Sequence, residues 1–279
     1  YGFLSENQNF VEICAKHNIK FIGPSVEAMA SMSDKSKAKQ VMMRAGIPVV
    51  PGSDGAIKDI EMAKKLASEI GYPVIIKAAA GGGGRGMRVV EKEEDLEKNF
   101  WSAESEAMSA FGDGTMYMEK YISNPRHIEV QVLGDEHGNV VHVGERDCSM
   151  QRRHQKLIEE SPAVILDDAT RTELHQTAVR AAKAIGYAGA GTFEFLYDQK
   201  DNKVYVIEMN TRLQVEHCVS EMCSGLDLIE WMIRIAQGEK LLDQSQIKLE
   251  GHAIECRITA EDPKSFTPNP GKITKYVAP

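Results

Sequence analysis

GTFEFLYDQKDNKVYVIEMN, residues 191–210, reads as a β-hairpin in which two runs of alternating apolar and polar residues meet at a polar turn. With Tyr197 and Val204 flanking that turn, a regular register sets Glu194 opposite Ile207, one step from Glu208, with Asn210 two residues on along the Glu208 face. Both acids interrupt otherwise apolar strands, where an unpaired buried carboxylate is costly. A divalent cation removes that cost. Hard oxygen ligands suit Mg²⁺ or Mn²⁺ bridging nucleotide phosphates, often through only one or two carboxylates. The competing reading of two glutamates on one hairpin is a solvent-facing polar stripe. The next residues favour the metal, because Arg212, Gln214, Glu216 and His217 all arrive within nine residues of Glu208. A fork-shaped cation, an amide and another acid beside a metal would hold a small anion.

Working upstream, RHIEVQVLGD and NVVHVGERDC alternate around Glu136-His137-Gly138-Asn139 and form an earlier hairpin. A helix over about 168 to 185 joins the two hairpins, and another over about 226 to 237 comes after the second. Between Ile47 and Tyr121 lies a block of extended IPVVPGS, a helix over about 59 to 70, strand YPVIIKA, strand GMRVV, a helix over about 92 to 111 and strand MYMEKYI. The first 46 residues read as helix, the short strand IKFIG (19–23), then helix. The last residues carry GHAIECRITAEDP and a closing strand GKITKYVA. Strands and helices mix in neither a strict βαβ rhythm nor an all-β one, so the class is α+β.

AAAGGGGRGMRVV, residues 78–90, places four consecutive glycines between two of these strands. Each glycine costs roughly 0.5–1 kcal/mol relative to alanine, which calls for a compensating use. A Walker loop would end in Gly-Lys-Ser/Thr and run into a helix, and a dinucleotide fingerprint also needs a helix after it; here Met87-Arg88-Val89-Val90 is another strand. A flap whose bare N–H groups fold over a polyphosphate remains, with Lys77 adding a point charge. From the glycines alone, a plain surface hairpin is equally open.

Composition narrows the partners. The 279 residues carry 33 basic and 41 acidic side chains, a formal charge of −8, which argues against general binding to nucleic acid or anionic membranes. An anionic ligand must then meet a local cluster such as Arg152-Arg153-His154-Gln155-Lys156. No apolar run approaches the ~20 residues that span a bilayer. Cys14, Cys148, Cys218, Cys223 and Cys256 are odd in number and irregularly spaced, so neither a disulfide framework nor a zinc knuckle is suggested, and a cytoplasmic or otherwise reducing compartment fits. Cys148 reads as a small buried hydrophobe, His142 as a structural histidine, and Met87, Met118, Met209 and Met222 as packing residues. Tyr1 and Pro279 read as cuts in a longer protein.

With these residues in view, the sequence resembles the biotin carboxylase family of ATP-grasp enzymes. YGFLSEN (1–7), PGSDG (51–55), GYPVIIKA (71–78), GGGGRGM (81–87), MEKY (118–121), ERDCSMQRRHQK (145–156), GAGTFEFL (189–196), IEMNTRLQVEH (207–217) and ECRITAEDP (255–263) look like that family's signatures and span the chain in order. The resemblance implies an ATP-grasp domain over 34–248 with a glycine-rich lid over about 50–122, flanked by the tail of an N-terminal domain (1–33) and the start of a C-terminal one (249–279). It implies ATP-dependent carboxylation of biotin on a carrier protein or domain, with bicarbonate activated as carboxyphosphate, the first half-reaction of an acetyl-CoA, propionyl-CoA or pyruvate carboxylase. A carboxyltransferase component and a possible homodimer of the parent are implied by the same likeness. The isolated chain is expected to bind MgATP and to turn over weakly.

Carried over residue by residue, the resemblance puts Lys35 and Lys77 on nucleotide phosphates and Gly82, Gly83 and Gly84 over them. Glu119, Lys120 and Ile122 would line the adenine pocket, with Leu196 packed on the base. His127, Gln151 and His154 match positions around the ribose and phosphates, and Lys156 sits where a lysine meets the reacting anion. Glu194, Glu208 and Asn210 match ligands of one or two Mg²⁺ or Mn²⁺ ions. Arg212, Gln214 and the Val215 backbone would hold bicarbonate, Glu216 would act as general base, and Arg257 would stabilise the biotin enolate. Two departures stand out: Cys218 where the family usually has proline, which frees φ and could loosen the segment carrying Glu216, and Ser33 where glycine commonly precedes Asp34-Lys35. Another bicarbonate-activating ATP-grasp ligase, of carbamoyl-phosphate synthetase type with ammonia as acceptor, is the alternative.

Overall fold

Strand alternation in this chain builds two antiparallel sheets, one small and one large. The computed structural model describes residues 2–33, 35–79, 86–153 and 155–277, with no account of the side chains at 35 and 36. Gly82, Gly83, Gly84 and His154 therefore lie outside the described residues, as does the side chain of Lys35. The chain opens with α1 (Gln8–Lys16), α2 (Val26–Ser33) and α3 (Lys35–Arg44).

The small sheet has strand order β2-β1-β3, from β1 (Val74–Ala78), β2 (Met87–Val90) and β3 (Met116–Lys120). The glycine-rich segment thus joins two antiparallel neighbours, with Lys77 opposite Met87. Helices α4 (Ile60–Ile70) and α5 (Leu96–Phe111) cover one face. Alternation decides which face: Val74, Ile76 and Ala78 are buried against Phe100, Ala103 and Ala107 of α5 and Ala63 and Ala67 of α4, while Ile75 and Lys77 stand on the other side. Alanine at the helix contacts lets the helices approach the sheet closely. Asp59 starts α4 by accepting a bond from the Met62 N–H at 2.8 Å, and Gly71 ends it with φ +78°.

The large sheet has strand order β8-β7-β4-β5-β6-β9, formed by β4 (Arg126–Gly134), β5 (Val140–Arg152), β6 (Gln155–Ser161), β7 (Gly189–Asp198), β8 (Lys203–Asn210) and β9 (Ala253–Cys256). On β4 the even positions Ile128, Val130 and Val132 enter a core with α6 (Asp168–Ala184) through Leu174 and Ala178, and with Met32 and Met42. The odd positions His127, Glu129 and Gln131 face the other way. Farther along that second face, Leu133 joins Val141, Val143 and Trp231 beneath α8 (Leu228–Ala236), and α7 (His217–Ser224) packs on β5, β6 and β9. One face is therefore a closed apolar core, and the other carries a polar stripe that ends in a smaller core.

The two sheets meet where the chain runs out of α3 and back. Val49 bridges Val206 in parallel, Gly52 bridges Glu119, and Lys39 on α3 reaches Glu119 on β3 at 3.5 Å. Gly52 has no room for a side chain, because a Cβ would lie 2.5 Å from the Met118 carbonyl oxygen.

The structure corrects several expectations. Residues 19–23 form no strand, and Ile19 is 61% exposed; the closing segment GKITKYVA is also irregular over its described residues, with Tyr276 81% exposed. A strand needs a partner ladder, and neither segment has one among the described residues. Strand β6 and helix α7 are additions to the elements expected from periodicity. Met118 and Met209 are buried as expected, but Met222 is 77% exposed. All five cysteines are free, and no helix of the described residues is long and apolar enough to cross a membrane.

The packing of the large sheet makes two outcomes measurable. Gly134 lies against the chain at Tyr187, where a Cβ would sit 2.0 Å from the carbonyl oxygen. Backbone cannot rotate out of the way, so Gly134→Ala is expected to cost about 1–3 kcal/mol, read as a fall in denaturation midpoint. Beneath α6, Glu145 accepts from His175 at 2.6 Å and from Arg171 at 2.8 Å, and the His142 and His175 rings stack 4.1 Å apart. Burial would raise Glu145, but His175 and Arg171 outweigh it and hold it at about 2; burial, then the neighbouring His175, lowers His142 to about 4. Both folded values lie below the unfolded ones, so their stabilisation is full above about pH 6.5 and is lost on acidification, first through His142 and below about pH 4.5 through Glu145. Urea midpoints measured from pH 7.5 to 3.5 should show that loss, and His142→Asn should flatten the limb between pH 6.5 and 4.

Candidate active site

Four strands of the large sheet line up one charged residue each. Glu129 on β4 is opposite Arg146 on β5 and opposite Glu194 on β7, and Glu194 is opposite Glu208 on β8. The last pairing differs from the regular register expected of the sequence. A β-bulge falls between Glu194/Phe195, where Phe195 pairs with Val206 but Glu194 pairs with Glu208, leaving Ile207 as the extra residue. Without it Glu208 would share a face with Val206 in the apolar core. The bulge turns Glu208 onto the same face as Glu194.

Of the three carboxylates in this row, Glu129 and Glu194 are buried and cannot stay charged without compensation, while Glu208 is exposed at the cleft. Arg146, fully buried, supplies one cation: its Nη2 donates to Glu129 at 3.1 Å, Thr192 at 3.1 Å and Gln214 at 3.2 Å, and its Nη1 donates to Gln131 at 2.8 Å and Ser220 at 3.0 Å. Lys156 on β6 supplies the second. Its Nζ donates to Glu194 at 2.8 Å and to Glu216 at 2.8 Å, and pairs with Glu129 more closely still. His127 is the third, with Nε2 at 2.9 Å from Glu129 and 3.1 Å from Glu194.

The titration directions agree with this division of charge. Burial would lower His127, but its bonds to Glu129 and Glu194 outweigh burial and raise it to about 9. Burial would raise Glu129 and Glu194, yet the His127 bond together with Arg146 or Lys156 holds each at about 2. Lys156 is also pushed down by burial, but Glu129, Glu194 and Glu216 together hold it above the ordinary lysine range. Three carboxylates around its Nζ favour the protonated form.

Around this floor opens a cleft of about 880 Å³, lined on one side by Leu196, Ile207, Glu208, Asn210 and Arg212, and on the other by Gln151, Gln155, Glu216 and Arg257. Glu216 sits at the N-cap of α7, where His217 anchors the turn by bonding the Gln214 carbonyl through Nδ1 at 2.7 Å. Cys218 takes the second position of that helix with no break in it. Arg257, just after β9, donates from Nη2 to Glu216 at 2.8 Å and from Nε to Glu159 at 2.7 Å. Gln214 donates to Glu194 at 3.1 Å, while Val215 is 60% exposed at the mouth. A second hollow of about 660 Å³, between α1, the 18–25 segment and α6, gathers no comparable cluster of charged groups among the described residues.

The small sheet contributes its own cation pair. Lys77 Nζ is 2.5 Å from Glu119 Oε2, and Lys39 is 3.5 Å from Glu119 Oε1. Lys120 does not point toward the cleft: its Nζ donates to the carbonyls of Gly71 at 2.9 Å and Tyr72 at 3.0 Å, so any contact it makes to a base is through its main chain. Ile122 is buried. Gln151 lines the cleft while its amide holds the Cys148 carbonyl at 2.9 Å. Cys148 is buried as expected, and burial first and Glu129 second push its thiol up.

The donor set suits a hard divalent cation. Glu194, Glu208 and Asn210 stand together on one face, Asn210 donating to Glu194 at 2.8 Å, and they offer carboxylate and amide oxygens rather than thiolates. Glu129, Arg146 and Gln131 are partners that the sequence alone does not single out. The signal for Glu129 and Gln131 is the polar run at alternate positions of RHIEVQV, whose stripe continues into a buried leucine instead of solvent.

Comparison with known proteins gives a consistent match. A family model described as the carbamoyl-phosphate synthase L chain, ATP binding domain, matches residues 34–244, and one described as the biotin carboxylase N-terminal domain matches residues 1–29. A biotin carboxylase of Nostoc sp. is 57% identical, with 100% of this chain and 63% of the relative covered. A biotin carboxylase–beta-gamma-ATP complex from Campylobacter jejuni is 79% identical with a TM-score of 0.88, covering 100% of this chain and 62% of that one. The biotin carboxylase domain dimer of the Hydrogenobacter thermophilus 2-oxoglutarate carboxylase, with MgADP, ADP and bicarbonate, is 54% identical with a TM-score of 0.86, covering 100% of this chain and 62% of that one. The chain spans 59–63% of the length of the curated relatives it matches first.

The buried charge network predicts its own sensitivity. Arg146→Met removes one of three cations around Glu129 and leaves the buried acceptors of Glu129, Gln131 and Gln214 each short of a donor, at a cost of about 3–5 kcal/mol. Combining it with Glu129→Leu should restore much of that loss, as a double-mutant cycle by chemical denaturation would record.

Proposed function

The chain belongs to the biotin carboxylase family, through the ATP-binding domain that this family shares with the carbamoyl-phosphate synthase L chain, and we propose that it carries the ATP-dependent carboxylation of carrier-bound biotin by bicarbonate. The single observation behind this is the convergence of Lys156, Glu194, Glu216, Arg212, Gln214 and Arg257 on one cleft beside Glu208 and Asn210. Relatives crystallised with a nucleotide and with bicarbonate support the same pairing of ligands.

In this reading Lys77 leaves Glu119 for a nucleotide phosphate, Lys35 and Gly82 to Gly84 add phosphate contacts, and Glu119, the Lys120 backbone, Ile122 and Leu196 frame the adenine. His127, Gln151 and His154 lie about the ribose and phosphates. When bound by Glu194, Glu208 and Asn210, Mg²⁺ or Mn²⁺ neutralises phosphoryl charge. Arg212, the Gln214 amide and the Val215 N–H hold bicarbonate with one oxygen toward the γ-phosphorus. Glu216 accepts its proton. The new P–O bond forms as the bond to ADP breaks, giving carboxyphosphate, and scission of its C–O bond then releases CO₂ and phosphate. Lys156, which keeps its proton throughout, steadies the reacting anion, and Arg257 turns from Glu216 to the ureido oxygen of biotin.

We place the ATP-grasp unit at 34–248, with its lid over about 50–122, between an N-terminal piece (1–33) and a C-terminal piece (249–279). A biotin carboxyl carrier, a carboxyltransferase and a homodimeric parent in a reducing compartment complete the proposal. The ammonia-accepting alternative is less well supported, because the curated relatives carry biotin carboxylase names.

Calorimetry of MgATP binding tests the reading. Wild type should bind, and Glu208→Gln and Lys77→Ala should each lose about tenfold or more in affinity, as for the loss of a charge-assisted bond. Equal affinities for all three proteins would remove the nucleotide from this cleft.

A further inference from the structure

Arg212 is held by a residue from the far end of the sequence. Glu6, immediately before the Asn7 cap of α1, sends its carboxylate to the turn after β8: Oε1 accepts from the Thr211 N–H at 3.0 Å and the Thr211 hydroxyl at 3.1 Å, and Oε2 accepts from Arg212 Nε at 3.0 Å. The position of Glu6 is fixed in turn, since the Asn7 side chain accepts the Phe10 N–H at 2.8 Å and locks the start of the helix. On the guanidinium, Glu6 takes only the Nε edge. Nη2 donates to Asn210 Oδ1 at 3.3 Å and Nη1 to the Leu213 carbonyl at 3.4 Å, both long bonds that leave each outer nitrogen one further N–H, and Arg212 lines the cleft.

We propose that Glu6 is a positioning residue for anion binding: it holds Arg212 by the Nε edge and the Thr211 backbone, so that the outer nitrogens present a preformed fork to a small planar oxyanion of bicarbonate type. The inference rests on the proposed carboxylation and adds to it a residue outside the ATP-binding domain. Two effects of Glu6 oppose each other. Its negative charge weakens the attraction of Arg212 for an anion, whereas its bonds remove the rotamer freedom that a long side chain must otherwise surrender on binding. Glu6 is 41% exposed, so its charge is screened by water, and the ordering effect dominates. The partial exposure also means that the pair contributes little to global stability, which separates its role from a purely structural one.

The test uses the chain itself with MgADP and ¹³C-bicarbonate as the probe. Wild type, Glu6→Gln and Glu6→Ala are compared for bicarbonate affinity, MgADP affinity and the ¹⁵N NMR signal of the Arg212 Nε–H. Glu6→Gln keeps an acceptor for Thr211 but drops the charge, and Glu6→Ala removes every bond. The expected result is a loss of bicarbonate affinity of roughly three- to tenfold in Glu6→Ala, as a freed arginine regains rotamer freedom, with a smaller loss in Glu6→Gln, unchanged MgADP affinity and faster exchange of the Nε proton. Unchanged bicarbonate affinity in Glu6→Ala would overturn the proposal. Tighter binding would also overturn it, by making Glu6 a competitor of the anion, and an equal fall in MgADP affinity would reduce it to general loosening. Wild type that binds MgADP but not bicarbonate would sink the functional reading, and the inference with it, without reference to any variant.

Discussion

Everything at the cleft depends on keeping two buried carboxylates, Glu129 and Glu194, charged inside a protein beside an exposed third, Glu208. Glu129, Glu194 and Glu208 occupy adjacent strands at one level of the large sheet, and like charges directly across strands repel. Arg146, Lys156 and His127 hold the first two down, and Lys156 and His127 are each pinned by more than one acid. The outcome is a floor that is nearly neutral in sum but strongly polarised in detail. Such a surface can receive phosphate oxygens and a metal with little rearrangement, because its dipoles are already oriented.

Positioning of that floor comes from strand chemistry rather than from loops. Alternation on β4 sorts its residues cleanly, with Ile128, Val130 and Val132 into the α6 core and His127, Glu129 and Gln131 on the opposite face. The bulge at Ile207 then performs the one operation that alternation cannot, reversing the facing of β8 partway along so that an apolar half and a chelating half coexist in one strand. Arg212, Gln214 and Glu216 continue from the end of β8, and a single short connection thereby carries a guanidinium, an amide and a carboxylate into the same cleft as Glu194, Glu208 and Asn210.

Much of this is legible in the sequence. Both hairpins, the strands β1 and β2 on either side of the glycines, and helices α4, α5, α6 and α8 are announced by periodicity and caps, because each buries a face within this chain. IKFIG and GKITKYVA mislead for the opposite reason: their β-branched residues are genuine strand formers, but no neighbouring ladder is present among the described residues to pair them. Helix α7 escapes notice because HCVSEMCS is only eight residues, too short for its buried pair Val219 and Cys223 to stand out as a period. The facing of Glu208 is unreadable, since an extra residue in a strand leaves no mark when that residue is an ordinary isoleucine. Arg146 is hidden for a different cause, namely that a charged residue in a strand reads as solvent-facing until its partners across the sheet are known.

Glu6, Lys156, Glu216 and Arg257 come from widely separated stretches of the sequence, and Arg257 is brought in by β9 at the sheet edge, pairing with β6 alone. Such long-range pairings close late in folding, after the local hairpins. Until β9 docks on β6, the Glu216 carboxylate at the head of α7 has Lys156 but not Arg257 as its cationic partner.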